Sequence, residues 1–394
     1  MPEIEGEMVM GWPDRKRLSN QLTTDRQGRV IDGRSPFTDL EGLITPTDLR
    51  YVKIQLEMPE PIHPDDSRLS IEGQVNQPFE LTLSELQKLP AKTVRMVTEC
   101  SGSDAHFFEW QRSGGQENSC DVHPSEEGKP SRHDLTQPHM GQVSSGEFTG
   151  VSLSLILEKA GLNASAVGVR AEGFDRGRPS EQAIQGASDV PEEMNYDKCL
   201  PLEKALDPDT IVAWALNGEY LRHVHGAPMR LLVPGWSGNW SVKWLHRLEV
   251  LDHIAPCFYQ TEYFFYADSL EAKDRTMVTA MGVKSIITDP RDDDQPLPRG
   301  EQVVHGLAWS GYGAISRVEV SVDGGVSWED AHLEEPRERW LWTRWSYRWN
   351  AREPGDYKVM SRATDEAARQ QPQIEWNVLR KNFDGIIPVD VTVT

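Results

Sequence analysis

The sequence predicts an α+β domain followed by an all-β sandwich, and three observations carry that expectation. Between about residues 44 and 255, strand-like alternation is mixed with helical periodicity. Beyond Gly300 the texture is strand only, with a strong hairpin signal at Val322-Asp323-Gly324-Gly325-Val326, where Asp-Gly and Gly-Gly tolerate the positive φ of a tight turn. The chain has 394 residues, enough for two or three domains, and no apolar run near the roughly 18 residues of a membrane-spanning helix.

The elements follow in order. Residues 1–43 are polar and without periodicity, and read as an extended arm. Leu69 to Val75 alternates like a half-buried strand, Thr82 to Leu89 reads as a short helix stopped by Pro90, and Thr93 to Val97 is a strand that runs into Cys100. Residues 109–143 cluster Gly, Ser, Pro, His and charge, the pattern of a long surface insertion within a domain spanning 44–258. In Val151 to Ala160, Leu153, Ile156, Leu157 and Ala160 share one helical face, and Gly161 stands at the cap position. Strands are expected at Val167–Ala171, Ile211–Leu216, Met229–Val233 and Leu248–Leu251. The second domain, 259–394, carries strands at Val303–Trp309, Ile315–Val322, Trp340–Trp349 and Tyr357–Thr364. Trp340, Trp342, Trp345 and Trp349 form an aromatic band, with Trp340 and Trp342 expected to point together into a core or an interface.

Composition narrows the function classes. The 41 Lys and Arg against 62 Asp and Glu give a net charge of −21, which repels nucleic acid backbones and anionic membrane surfaces. A small anion remains compatible, since salt screens a distant acidic surface beyond about 10 Å. The four cysteines, Cys100, Cys120, Cys199 and Cys257, offer neither a C-x-x-C metal pair nor a haem-attachment C-x-x-C-H. Met1 to Asn20 lacks a basic stretch followed by an apolar segment, so a cytoplasmic location is expected, or a periplasmic one if a signal has been removed.

Chemistry-bearing residues gather in three places. Cys100 follows a strand in Thr98-Glu99-Cys100-Ser101-Gly102-Ser103, and its thiolate suits a soft metal or nucleophilic attack, with a plain buried cysteine as the alternative. His225-Gly226-Ala227-Pro228-Met229-Arg230 and the Gly- and Ser-rich stretch Pro234 to Trp244 offer backbone N–H groups and cations to a phosphate, or are ordinary loops at a sheet edge. Cys120, His123, His133, His139, Asp121 and Asp134 in the insertion fit no standard metal spacing, and a solvated loop is the expected reading.

In order, these pieces resemble the sulfite oxidase family of molybdenum enzymes over about residues 40–390. Ile44-Thr45-Pro46, the Cys100 segment, Thr149-Gly150-Val151-Ser152-Leu153, Glu172-Gly173-Phe174-Asp175, the His225–Arg230 run and Ser241-Val242-Lys243-Trp244-Leu245 are similar to successive family blocks. Arg317 to Trp328 resembles the family's Ig-like dimerisation domain. The resemblance implies a molybdenum-molybdopterin cofactor with Cys100 on the metal, and with Asp175, His225, Arg230, Ser241, Val242 and Lys243 around the pterin and its phosphate. It also implies a homodimer that oxidises sulfite or a related sulfur species by oxygen-atom transfer and passes electrons singly to an external acceptor such as a cytochrome c, with Lys53, Tyr263 and Arg380 as substrate contacts.

Departures from the pattern concern the substrate. The family's Arg five positions after the ligand Cys is Ala105 here, its N-terminal substrate Arg is Lys53, a pterin-contacting His is Gln55, and the Trp before the T-G-V block is Phe148. Arg380 matches the C-terminal substrate Arg only across a one-residue gap, and Asn382-Phe383-Asp384-Gly385-Ile386 leans towards the sulfane dehydrogenase branch, whose partner is a cytochrome subunit. A relative acting on a sulfane or reducing an S- or N-oxide, and a metal-free binding scaffold, are the alternatives; Arg112 or Arg132 of the insertion is the expected source of the missing cation.

Overall fold

The computed structural model describes residues 23–36, 42–105, 107–108, 141–181, 183–184, 187, 189–291, 295–372 and 377–394. All but the last three residues of the expected insertion, with Arg112, Arg132, Cys120 and its histidines, lie outside the described residues.

The first domain is far richer in strand than an α+β reading implies. One of its sheets runs Glu219–Tyr220, Ile211–Leu216, Val143–Ser152, Lys92–Glu99, all antiparallel, with Arg230–Leu232 also paired to Ile211–Leu216. The other runs Phe79–Thr82, Arg68–Gly73, Leu245–Leu251, Gly168–Gly177, Met194–Pro201, with a single parallel pair between Arg68–Gly73 and Leu245–Leu251. Helices are short. Leu83–Leu86 is started by a capping box in which Thr82 Oγ1 accepts from the Glu85 N–H at 3.1 Å and Glu85 Oε2 accepts from the Thr82 N–H at 2.8 Å. Leu153–Ala160 buries Leu153, Ile156, Leu157 and Ala160 completely and ends at Gly161, whose φ of +69° a side chain would resist. The strand pairing of Val151 and Ser152 delays this helix to Leu153, two residues later than the apolar spacing alone suggests.

The described part of the arm is built into a small sheet. Thr23–Thr24 pairs with Val30–Gly33, which pairs with Val52–Lys53, and Val30, Val52, Ile54 and Met58 pack with Val224 and Trp244 of the first domain.

The second domain sets Lys284–Asp289, Gly300–Trp309, Thr343–Ala351 and His332–Leu333 in one sheet and Glu329–Asp330, Ile315–Ser321, Gly355–Asp365 and Val389–Val393 in the other. Val304, Trp345 and Trp349 from the first and Val318, Val359 and Val391 from the second share one core, the arrangement of a β-sandwich. The Asp-Gly-Gly turn forms with Gly324 and Gly325 at φ +73° and +92°. The tryptophan band does not act as a unit: Trp340 and Trp342 precede the strand, Trp340 packs with Met96 and Phe148, Trp342 packs between the domains, and only Trp345 and Trp349 enter the sandwich core. The expected boundary at 258/259 also moves, because Tyr259, Tyr263, Phe264 and Val278 belong to the core of the first domain.

A buried ion cluster joins the two domains. Lys284 Nζ, with its side chain 1% exposed, donates to Glu99 Oε1 at 2.8 Å and to Asp104 Oδ2, while Trp309 Nε1 donates to Glu99 Oε2 at 2.9 Å. Burial alone would pull the Lys284 ammonium down, but Asp104 and Glu99 hold it above its ordinary range. Lys284→Met strands two buried carboxylates, and denaturant unfolding should show a loss of about 3–5 kcal/mol; a loss below about 1 kcal/mol would contradict this role.

Candidate active site

Cys100 is placed by the end of a strand. Lys92–Glu99 stops at Glu99, the Cys100 N–H donates to Gln142 O at 2.8 Å, and the Ser103 N–H closes a turn on Cys100 O at 2.8 Å. Asn382 N donates to Ser101 O at 2.7 Å, so the C-terminal segment is tied to the same turn. The thiol is 8% exposed; burial pushes its pKa up, with Lys53 and Lys381 acting the other way. Among the described residues no group of three His, Cys, Asp or Glu is placed to hold a metal ion, at Cys100 or elsewhere. A metal at Cys100 therefore needs most of its ligands from a non-protein chelator, since one thiolate does not fill a coordination shell.

Beside Cys100 lies a cavity of about 70 Å³, partly open to solvent and lined by Arg50, Asp175, His225, Arg230, Asn239 and Lys243 among others. Its polar groups come from separate elements. Asp175 is on the strand Gly168–Gly177, His225 ends the 3₁₀ turn His223–His225, and Arg230 opens the strand Arg230–Leu232. Gly226, at φ +99°, lets the chain turn against Lys243; a Cβ there would sit 2.9 Å from Lys243 Cβ.

The cavity is short of negative charge. Arg50 donates to Thr98 Oγ1 at 2.9 Å and to Ser145 O. Arg230 donates to His225 O at 2.9 Å and Ser241 O at 3.1 Å, and Lys243 donates to Lys53 O at 3.1 Å and Val224 O at 3.2 Å. All these acceptors are neutral. Burial, joined by Arg230, lowers Arg50 to about 9; burial lowers Arg230 to about 10; burial, joined by Arg230, lowers Lys243 to about 7. Burial also holds His225 well below its ordinary range, with Arg50 next in effect, so its ring is neutral. Asp175 is the one carboxylate among the lining residues, and burial raises it to about 7. Asp175 Oδ1, Arg230 Nε and Asn239 Oδ1 are buried without a hydrogen-bond partner. One unfilled donor, two unfilled acceptors and the unpaired cations together fit a polar ligand that carries both N–H donors and an anionic group, such as a phosphate-bearing heterocycle.

Of the expected residues, Cys100, Lys53, Asp175, His225, Arg230, Ser241 and Lys243 line the cavity, whereas Val242, Tyr263 and Arg380 do not. Val242 turns its side chain into the hydrophobic core, and its carbonyl accepts from the Leu231 N–H at 2.8 Å, so only its backbone is near the cavity. Ser241 Oγ accepts from the Val233 N–H at 3.2 Å and lines the cavity. Lys53 also lines it, with its ammonium paired to Asp32. At the Cys100 end, Lys381 Nζ lies 3.8 Å from the centre of the Tyr263 ring, and burial lowers Lys381 to about 7, with Cys100 opposing and Lys53 and Arg380 adding. Arg380, at φ +49°, acts on both Tyr263 and Lys381. Lys381 was not among the expected residues although it adjoins Arg380; Arg50, Asn239 and Asp32 were missed as well. Arg50 lies three positions before Lys53 and carried the only local signal.

Comparison with known proteins gives two family matches, with Asp32, Arg50, Lys53 and Tyr263 outside both. Residues 55–259 match the model of the oxidoreductase molybdopterin binding domain, and residues 275–385 that of the Mo-co oxidoreductase dimerisation domain. Mitochondrial sulfite oxidase of Rattus norvegicus is 29% identical over 86% of this chain, and that of Drosophila melanogaster 30% over 94%. The chain spans 59% and 62% of the lengths of those two relatives. A nitrate reductase [NADH] of Ulva prolifera is 29% identical over 93% of the chain and 42% of its own length. Among solved structures, the sulfane dehydrogenase SoxCD from Paracoccus pantotrophus superposes with a TM-score of 0.75 at 28% identity, covering 94% of this chain and 86% of that one.

The charge imbalance has a sign that can be measured. Lys243 titrates at about 7 in the folded protein without a ligand, against about 10.4 unfolded, so between these values the unfolded chain binds more protons. Cofactor-free protein should therefore gain stability as pH rises from about 7 to 10.5, and that part of the gain should vanish in Lys243→Met; identical pH profiles of unfolding for the two proteins would contradict the assignment.

Proposed function

The chain belongs to the molybdopterin-binding oxidoreductases of the sulfite oxidase family, and from that premise we propose that it oxidises sulfite or a related sulfur species and passes the electrons to an external acceptor such as a cytochrome c. The observation that supports this reading most is the anion-seeking cavity that ends at a lone buried cysteine. Cys100 would ligate molybdenum. Asp175, His225, Arg230, Ser241 and Lys243 would hold the pterin and its phosphate, with Arg50 and Asn239 added by the geometry.

When bound, the molybdenum cofactor supplies the oxygen-atom and two-electron chemistry. The protein supplies binding, orientation and field. Sulfite oxidation forms one S–O bond with oxygen derived from water and releases two protons and two electrons, so the substrate stays anionic throughout. Tyr263, pushed up to about 12 by burial, with Lys53 the next largest influence and acting downwards, keeps its proton and can donate a hydrogen bond to a substrate oxygen. Lys53, Lys381 and Arg380 surround the same end of the site with positive charge. The sandwich domain would carry a homodimer interface, a reading supported by its match to the dimerisation model, and the location would be cytoplasmic, or periplasmic after removal of a signal.

A second reading, a sulfane or an S- or N-oxide as substrate, is favoured by Ala105 in place of the expected Arg and by the pairing of Lys53 with Asp32. Sulfite-dependent reduction of ferricyanide by molybdenum-loaded protein separates the two. Saturable activity at low sulfite is the expected result, and inactivity of metal-replete protein would transfer the assignment to the second reading. Cys100→Ser should abolish turnover with any of these substrates, because a hard alcohol replaces a soft thiolate; retention of full activity would remove Cys100 from the metal.

A further inference from the structure

Resting on the cofactor reading above, we propose that Asp32 is a specificity-determining residue: it offsets the substrate-facing cation Lys53 and lowers the affinity of the Cys100 pocket for doubly charged anions relative to singly charged ones. Asp32 and Lys53 are direct partners across the antiparallel pair Val30–Gly33 and Val52–Lys53. Residues directly opposite in such a pair interact through their side chains, and here Lys53 Nζ donates to Asp32 Oδ2. The other carboxylate oxygen accepts from Gln142 Nε2 at 3.2 Å, and Gln142 O in turn accepts from the Cys100 N–H at 2.8 Å. Asp32 is thus two hydrogen bonds from the proposed ligand residue.

The strand that carries Asp32 is fixed, although composition reads the arm as unstructured. Ile54 N donates to Ile31 O at 2.9 Å, Ser35 N donates to Gly141 O at 2.7 Å, and Val30 is buried against Val52 and Trp244. The side chains of Lys53 and Asp32 are 33% and 25% exposed, and Lys53 lines the cavity. Lys53 and Arg380 both act on Lys381, and of these three basic residues Asp32 pairs with Lys53. A doubly charged anion meets a weaker field here than three free cations would give.

The test uses the molybdenum-loaded holoenzyme and anions that do not turn over. Calorimetry should show sulfate binding about tenfold more tightly to Asp32→Asn than to the unchanged protein, with nitrate changing by no more than about twofold to threefold. Adding Lys53→Ala to Asp32→Asn should cancel the gain. Unchanged sulfate affinity in a metal-replete Asp32→Asn protein, or an equal gain for sulfate and nitrate, would overturn the proposal. If Asp32→Asn does not fold, Asp32→Ser carries the same expectations. Molybdenum and pterin content measured on the same samples keeps the two readings apart: absence of both from the unchanged protein would overturn the cofactor reading, and with it this proposal, whereas a loaded protein with unaltered anion affinity would overturn only the role of Asp32.

Discussion

Arg50, Arg230 and Lys243 share one cavity and donate only to neutral oxygens, and that unpaired positive charge is the constraint to which the rest of the site answers. Mutual repulsion and lost hydration both act against such a cluster, and the one lining carboxylate, Asp175, is itself held towards its neutral form. An anionic ligand reverses the sign of the arrangement: each cation then makes a charge-assisted bond, and the orphaned Arg230 Nε gains an acceptor, while Asn239 Oδ1 is left to accept from an N–H of the same ligand. The fold keeps the cations apart in sequence and together in space by bringing the arm, the 3₁₀ turn before Gly226 and the loop before Leu245 to one place.

Two further devices orient Cys100 against that cavity. From one side, the strand Lys92–Glu99 delivers it into a turn closed by Ser103. From the other, Lys284 of the sandwich grips Glu99 and Asp104 on either side of the turn, and the Asn382 N–H holds Ser101 O. The sandwich is therefore part of the wall behind the proposed metal ligand as well as a candidate dimer surface, and a change in how the domains pack bears directly on the thiolate's position. Lys53 is held by its pairing with the arm strand Val30–Gly33, and Arg380 and Lys381 come from the C-terminal segment, so part of what would face the substrate depends on elements that flank the first domain in sequence.

This division explains how much could be read in the chain itself. The turn after Thr98, the His225–Arg230 run and the Ser241–Lys243 loop are short contiguous stretches whose residue types state their chemistry, and the structure gathers them round one cavity. The hairpin at Asp323-Gly324-Gly325 was legible for the same local reason. Asp32, Lys284 and Lys381 were not, because their roles exist only through partners 21, 180 and more than 100 residues away, and a lone charged residue in a polar segment carries no mark of its contact. The α+β expectation overweighted two amphipathic stretches: the helices are real but short, and the long strand Val143–Ser152 begins inside what composition marks as a loop. The tryptophan band misled because alternation along a strand was assumed where Trp340 and Trp342 lie in a turn between the domains.

The central claim is that the buried cations hold a phosphate-bearing pterin that presents molybdenum to Cys100. It is tested most directly by measuring molybdenum and acid-released pterin in protein purified from a host that makes the cofactor, for the unchanged chain and for an Arg230→Met, Lys243→Met double variant. The account predicts about one of each per chain in the former, and loss of both in a variant that is folded and, without cofactor, no less stable than the unchanged apoprotein. Full occupancy in the folded double variant, or no pterin in the unchanged protein, would contradict it.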